Sequence, residues 1–260
     1  IRECMRHPYI HLFNPYYFNK WTLFSWLKRS KMTEKFIPAT RKLTPKLNLA
    51  NFIKKYPIVY LKPESGKAGK GIMRVQRMQA KKYRYLLTIQ EYKKTQRFPF
   101  RRIAALRTKI EHYAEHEPYI VQQGIQLTAF KNRPYDLRVL VQKNRNGKWV
   151  LTAIGARIAG EKSITTHVPR GGRIDDPKKV LTSSFGNAAS KKILTRLKKS
   201  ALTIARQIEK SSKHRLGEMS MDLGLDETGN IWFFEANAKP MKFDEPHIRE
   251  LSLKRVLEYS

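Results

Sequence analysis

The clearest pattern along the chain lies between residues 190 and 213. Ile193, Leu194, Leu197, Ala201, Ile204, Ala205 and Ile208 recur there at three- and four-residue spacing, with Lys and Arg between them. Such spacing gathers the apolar side chains into one stripe of a helix and turns the cations outward. Residues 20–31 repeat the pattern with Leu23, Phe24 and Leu27, so Trp21, Phe24 and Trp26 read as the core of a helix rather than a stacking platform. Residues 49–56 form a short helix that stops before Pro57, residues 38–40 a helix-to-loop exit, and residues 100–115 another helix. Short apolar, β-branched runs predict strands at 58–61, 72–75, 119–121, 137–142, 149–158, 219–225 and 231–235. Asn144-Arg145-Asn146-Gly147 and Asp226-Glu227-Thr228-Gly229-Asn230 are the turns of two hairpins. Helices mixed with hairpins predict an α+β fold rather than a doubly wound parallel sheet. There is no internal repeat and no low-complexity linker.

Composition narrows the function classes. The 260 residues, 41% hydrophobic and 11% aromatic, can bury a substantial core and exclude a disordered chain. No run approaches the ~20 apolar residues of a membrane span, and the opening Ile1-Arg2-Glu3-Cys4 is no signal peptide, so a soluble protein is expected. One cysteine, Cys4, excludes an internal disulfide or a Cys-based zinc site and fits a reducing compartment. The formal charge is +32, with +20 in residues 1–130 and +12 in the remainder. Residues 35–63 and 65–90 contain no acid. A surface of this kind attracts polyanions such as nucleic acid, an acidic polymer or acidic lipid headgroups.

Against that background the acids near the C-terminus stand out. Asp222 lies on one strand of the last hairpin, while Glu235 and Asn237 leave the other, after the apolar run Ile231-Trp232-Phe233-Phe234. Two carboxylates and an amide oxygen are hard donors that leave a coordination shell open, which suits Mg²⁺ carrying phosphate oxygens and water. Lys62 ends the 58–61 strand, where it can aim an ammonium at phosphate. Gly66, Gly69 and Gly71 follow, a loop whose backbone N–H groups can approach an anion closely. A strand rather than a helix comes next, so this is not a P-loop. His7, His11, His112, His116, His214 and His247 show no metal-ligand spacing, and His167 reads as a loop hydrogen-bonding residue.

The order of these pieces resembles the ATP-grasp superfamily, and within it the YheC/YheD group of endospore coat-associated proteins. The resemblance rests on YLKPESGKAGKGI at 60–72, YIVQQGI at 119–125, YDLRVLVQ at 135–142 and MDLGLDETGNIWFFEANAKP at 221–240, covering roughly residues 14–240. It implies ATP bound between two α+β lobes: residues 1–50 as an N-terminal helical and connecting part, 51–125 as the small lobe with its glycine-rich lid, and 126–260 as the large lobe. It implies that Lys20 and Lys62 reach the nucleotide and that Lys67, Gly69, Lys70 and Gly71 belong to the lid over the phosphates. Gln122, Gln123 and Ile125 would form the hinge along adenine. Asp136 would face the ribose beside Arg138, and Arg157 and Arg170 would act on the γ-phosphate and acceptor. Asp222, Glu235 and Asn237 would hold Mg²⁺. The implied reaction is ATP-dependent ligation of a carboxylate to an amine through an acyl phosphate, in the cytoplasm or at the forming spore coat. The alternative is a non-catalytic or ATP-switched protein whose basic surface holds nucleic acid or another polyanion. Gln122 stands where the family's hinge often has an acid, and Asn-Ala-Lys-Pro at 237–240 replaces an Asn-x-x-Pro-Gly ending.

Overall fold

The computed structural model describes residues 12–65, 71–80, 82–90, 95–160, 172–240 and 246–260. The first helix among the described residues is α1, Lys20–Lys28, whose first turn is capped by the Asn19 side chain accepting from the Thr22 N–H at 3.1 Å. The predicted helix over 20–31 breaks at this point. Ser30 turns its hydroxyl to the Met32 N–H and caps a separate turn, α2, Lys31–Glu34. Strand β1, Thr40–Lys42, follows where a loop exit was expected. Helix α3, Leu49–Lys55, is capped by Asn48. Then come β2, Ile58–Pro63; β3, Ile72–Arg77; β4, Tyr85–Gln90; β5, Thr95–Phe100; helix α4, Ile103–Tyr113; and β6, Tyr119–Gln123. These strands form one antiparallel sheet in the order β1-β6-β2-β3-β4-β5.

The second sheet is built from β7, Ala129–Phe130; β8, Arg133–Lys143; β9, Trp149–Ile158; β10, Arg173–Asp175; β11, Glu218–Leu225; and β12, Ile231–Asn237, in the order β10-β9-β8-β11-β12 with β7 on β8. Both predicted turns form. Asn144 Oδ1 accepts from the N–H of Asn146 and Lys148, and Asp226 Oδ1 accepts from the N–H of Thr228 and Asn230. Gly147 and Gly229 take φ of 67° and 78°, the left-handed backbone such turns need. Helix α5, Pro177–Phe185, is capped by Asp176 and ends at Gly186, whose φ of 79° lets α6, Asn187–Ser212, start in a new direction. The last element is helix α7, Pro246–Tyr259.

Two hydrophobic cores result. Leu23, Phe24 and Leu27 of α1 and Leu197, Ala201, Ile204, Ala205 and Ile208 of α6 pack on one face of the second sheet, against Leu137, Val139, Met221, Leu223 and Phe233. Trp21 and Trp26 lie partly buried against the same core. Leu49, Ile53, Leu106 and Ile110 of α3 and α4 cover one face of the first sheet, against Val59, Leu61, Met73, Val75, Leu87 and Ile89. Because strand side chains alternate, each sheet keeps a second face for other purposes. On the second sheet, α7 lies across half of that face: Gln142 donates to Ser252 Oγ at 2.9 Å and Arg255 to the Leu151 carbonyl at 2.9 Å. The mixed helices and antiparallel sheets agree with the α+β expectation. No helix among the described residues is long and apolar enough to cross a membrane.

The helical stripe should separate stability cleanly by face. Ile204→Ala, at a fully buried position, is expected to cost about 2–5 kcal/mol, and Arg206→Ala on the opposite, exposed side less than about 0.5 kcal/mol. Urea denaturation followed by circular dichroism measures both, and equal losses would contradict the packing.

Candidate functional site

The face of the second sheet not covered by α1, α6 or α7 carries a block of charge set by strand register. Asp136 of β8 stands opposite Arg157 of β9, Arg138 of β8 opposite Asp222 of β11, and Asp222 opposite Glu235 of β12. Asn237 pairs with Ser220 one step further on. A register shift after Asp222 makes room for Phe234, so Glu235 falls on the polar face while Phe233 keeps to the core.

These groups are bonded to one another. Arg157 donates through Nε to Asp136 Oδ1 at 2.8 Å and through Nη2 to Asp136 Oδ2 at 2.6 Å, and the same Nη2 lies 2.8 Å from Asp222 Oδ2. Arg138 grips Asp222 with two bonds, 3.0 Å from Nε and 3.2 Å from Nη2. Asp136 and Arg157 are each 3% exposed and Asp222 4%, so the attraction acts with little water between the charges. Burial alone would lower the Arg157 guanidinium, but Asp222 and Asp136 outweigh it and hold it above its ordinary value. The expectation had Asp136 at a ribose and Arg157 at a phosphate; here the two form a bidentate pair.

The first sheet and the head of α1 supply the opposing cations. Lys62, at the end of β2, donates to Gln122 Oε1 at 2.7 Å and sits 5.5 Å from the Phe234 ring centroid across the gap between the sheets. Gln122 in turn donates to Thr40 Oγ1 at 3.0 Å, an arrangement an acid at this position would not support. Lys20, at the head of α1, reaches Glu235 Oε1 at 3.6 Å, and its backbone N–H is held by the Glu64 carbonyl at 3.0 Å. Burial pushes the Lys62 ammonium down to about 8, with Glu235 opposing the shift and Lys20 adding to it. Burial also raises Glu235, against the pull of Lys20.

The hinge candidates leave β6 together. Gln123 Oε1 accepts from the Ala39 N–H at 3.2 Å, and the Gly124 N–H donates to the Ile58 carbonyl at 2.8 Å. A Cβ on Gly124 would come within 2.9 Å of that carbonyl oxygen, so only glycine lets the chain cross there, with Ile125 next. Gly71 has φ of 74° and passes under Tyr119, whose hydroxyl donates to its carbonyl at 3.0 Å. Lys67, Gly69, Lys70, Arg170 and His167 lie outside the described residues.

Two residues escaped the sequence reading. Glu64, 6% exposed, pairs with Lys42 at 3.3 Å and accepts from Asn19, tying α1 to the first sheet. Thr40 orients Gln122. Glu64 is the one acid between residues 35 and 90, a signal that was available.

Among the described residues no three His, Cys, Asp or Glu side chains form a metal cage. Asp222 and Glu235, directly opposite, with the Asn237 amide one step away, supply hard oxygens but an incomplete shell. That donor set fits Mg²⁺ arriving with phosphate oxygens and water of its own.

A family model described as YheC/D like ATP-grasp matches residues 9–260. Endospore coat-associated protein YheD of Bacillus subtilis (strain 168) is 31% identical over 258 residues, covering 95% of this chain and 55% of that protein. Endospore coat-associated protein YheC of the same organism is 23% identical over 226 residues, covering 85% and 60%. The chain therefore spans little more than half the length of these relatives. Among solved structures, D-alanyl-alanine synthetase A from Vibrio cholerae O1 biovar eltor str. N16961 matches with a TM-score of 0.56 at 16% identity, over 92% of this chain and 60% of that one. The ADP complex of an N5-carboxyaminoimidazole ribonucleotide synthetase matches with a TM-score of 0.50 at 12% identity, over 93% and 52%. At such identities the likeness is one of fold.

Lys62 gives the site a pH signature. Its folded value of about 8 lies below its ordinary 10.5, so between these values the unfolded chain holds the extra proton. The charged lysine thus burdens the fold below pH 8, and stability recovers as pH rises from 8 toward 10.5. Lys62→Met should raise the denaturation midpoint more at pH 7 than at pH 10. Equal changes at the two pH values would contradict the burial of this charge.

Proposed function

Because the chain belongs to the YheC/D-like ATP-grasp family, we propose that it binds Mg²⁺-ATP between its two sheets and uses it to join a carboxylate to an amine. The observation that supports this most is the facing of two charge sets. Asp136, Arg138, Arg157, Asp222 and Glu235 line one sheet, and Lys62 and Lys20 come to meet them from the other side. Three carboxylates stand among four cations, a balance with a surplus of positive charge before any phosphate arrives. In this reading Asp222, Glu235 and Asn237 hold Mg²⁺, which when bound neutralises phosphate charge and polarises the γ-phosphoryl group.

Lys62 and Lys20 would bind phosphate oxygens, Lys62 gaining its proton firmly as the anion replaces its lost hydration. The segment from Gln122 to Ile125 would accept adenine through its backbone, with Asp136 near the ribose. Arg157, and Arg170 from the following loop, would face the transferring phosphoryl group. An acceptor carboxylate oxygen attacks the γ-phosphorus and ADP leaves with the bridging oxygen. The amine nitrogen then attacks the acyl carbon, the C–O bond to phosphate breaks, and the amine loses a proton. The protein's part is positioning and charge stabilisation. Both relatives carry endospore coat-associated names, which favours a role in spore formation, in the cytoplasm or at the developing coat.

The net charge of +32 favours a second reading, in which ATP switches a protein that holds a polyanion. The outer side of α6 supports it: Lys191, Lys192, Arg196, Lys198, Lys199, Arg206 and Lys210 are all exposed. Glu209, the helix's single acid, is taken up by Lys143 and Trp149.

Three measurements separate these readings. A thermal melt with Mg²⁺-ATP at a hundred times Kd should show about 2.7 kcal/mol of added stability, lost in Asp222→Asn and Glu235→Gln; no shift in the parent protein removes nucleotide binding. Phosphate release assayed with a panel of carboxylates and amines should depend on both, and Lys62→Met should lower turnover by ~10²–10³. Nucleotide binding without acceptor-dependent release, joined to steeply salt-dependent DNA binding, would favour the switch.

A further inference from the structure

The first sheet turns one face to α3 and α4, and its other face carries an ordered polar array. The register sets Tyr60 beside Arg74, Arg74 beside Thr88 and Thr88 beside Arg97, a single row across β2, β3, β4 and β5. The next row holds Ile72, Gln90 and Thr95. Lys62, two residues along β2 from Tyr60, projects from this same face. Three atoms in these rows are buried without a hydrogen-bond partner: Arg74 Nε, Thr88 Oγ1 and Gln90 Oε1. Thr88 is 1% exposed and Gln90 5%. Buried polar groups are nearly always paired, so three neighbouring exceptions on one face set this array apart. Strands β3 to β5 contain three arginines and no acid.

We propose that this face is a binding site for an extended peptide bearing carboxylates. Arg74 and Arg97, on strands two apart and so ~10 Å from each other at the backbone, take side-chain carboxylates. Gln90 Oε1 accepts only, and Thr88 Oγ1 can both accept and donate, so the array also calls for N–H or O–H donors. A peptide backbone brings N–H groups together with its acidic side chains, whereas the phosphodiester backbone of DNA has no such donor. That mixture favours an acidic peptide over a nucleic acid. Since Lys62 shares the face, a bound peptide leads a carboxylate toward the nucleotide cleft; this last step rests on the ligase reading, while the binding does not.

Fluorescence anisotropy with a labelled oligo-glutamate peptide at near-physiological salt tests the site. Arg74→Met should raise Kd about tenfold or more. Gln90→Leu, which changes no charge, should raise it several-fold. A Lys199→Met/Arg206→Met pair on the outer side of α6 should leave it within about twofold. Melting curves identify any variant that fails to fold, and Arg97→Met, at an exposed position, then replaces Arg74→Met. Unchanged binding in the Arg74 (or Arg97) and Gln90 variants, an equal loss in the α6 pair, or displacement of the peptide by lower concentrations of duplex DNA overturns the proposal. A Mg²⁺-ATP melt on the same samples keeps the two readings apart. Peptide binding without a nucleotide shift removes the ATP reading alone, and a nucleotide shift without peptide binding removes this site alone.

Discussion

Arg157 is the interaction on which the site depends. Its guanidinium is almost wholly buried between Asp136 and Asp222, on the middle strands of a sheet. Desolvating three charges is tolerable only when each is paired with good geometry. The pairing in turn requires β8, β9 and β11 to stand in one register, because a slip of one residue would send every carboxylate into the core and every Leu and Val to the cleft. The apolar faces of α1 and α6 enforce that register from the other side of the sheet. Packing on one face and chemistry on the other are therefore consequences of a single alignment.

The two sheets meet through charge as well as backbone. Lys20 is anchored at both ends: its N–H binds the carbonyl of Glu64 beside β2, and its ammonium faces Glu235 on β12. Lys62 is held by Gln122 and lies against Phe234 of the opposite sheet. Lys20 lies 3.6 Å from Glu235 Oε1 and Lys62 donates to an amide oxygen, whereas each of the two arginines makes a two-bond grip on a carboxylate. The arginines thus hold the carboxylates of the sheet in place, while the lysines carry positive charge that an incoming triphosphate would meet. This division gives the cleft a fixed floor and a responsive roof.

Excess charge acquires a more specific meaning in this frame. Within the acid-poor stretch from residue 65 to residue 90, Ile72–Arg77 and Tyr85–Gln90 form β3 and β4, in the same sheet as Lys62. Glu64, the carboxylate just before it, is spent on Lys42 and Asn19. Among the described residues no carboxylate forms an ion pair with Arg74 or Arg97 on that sheet face, which suits a partner carrying negative charge of its own.

Much of this was legible in the linear sequence. The α6 stripe, the hairpin turns at Asn144 and Asp226 and the strand carrying Asp222 all rest on local rules of period and turn chemistry, and they appear where expected. Counting residues across the tight turn puts Asp222 opposite Phe234, and it is the bulge after Asp222 that brings Glu235 to face it. Among the elements not predicted, β4, Tyr85–Gln90, and α5, with Asp176 before Pro177 and Gly186 at its end, carry local signals that were available, whereas β1 is three residues long, β5 places Pro99 on a sheet edge, and α7 takes its place through Gln142 and Leu151, more than a hundred residues away. The break after α1 was decided by Ser30, which favours capping over continuing a helix. Sequence alone thus determined which residues could carry the chemistry, because residue type and strand parity are local properties. Only the tertiary structure decided that Asp136 is locked to Arg157, that Arg138 grips Asp222, and that Lys20 and Lys62 face Glu235, because those pairings depend on register and on two sheets closing over each other.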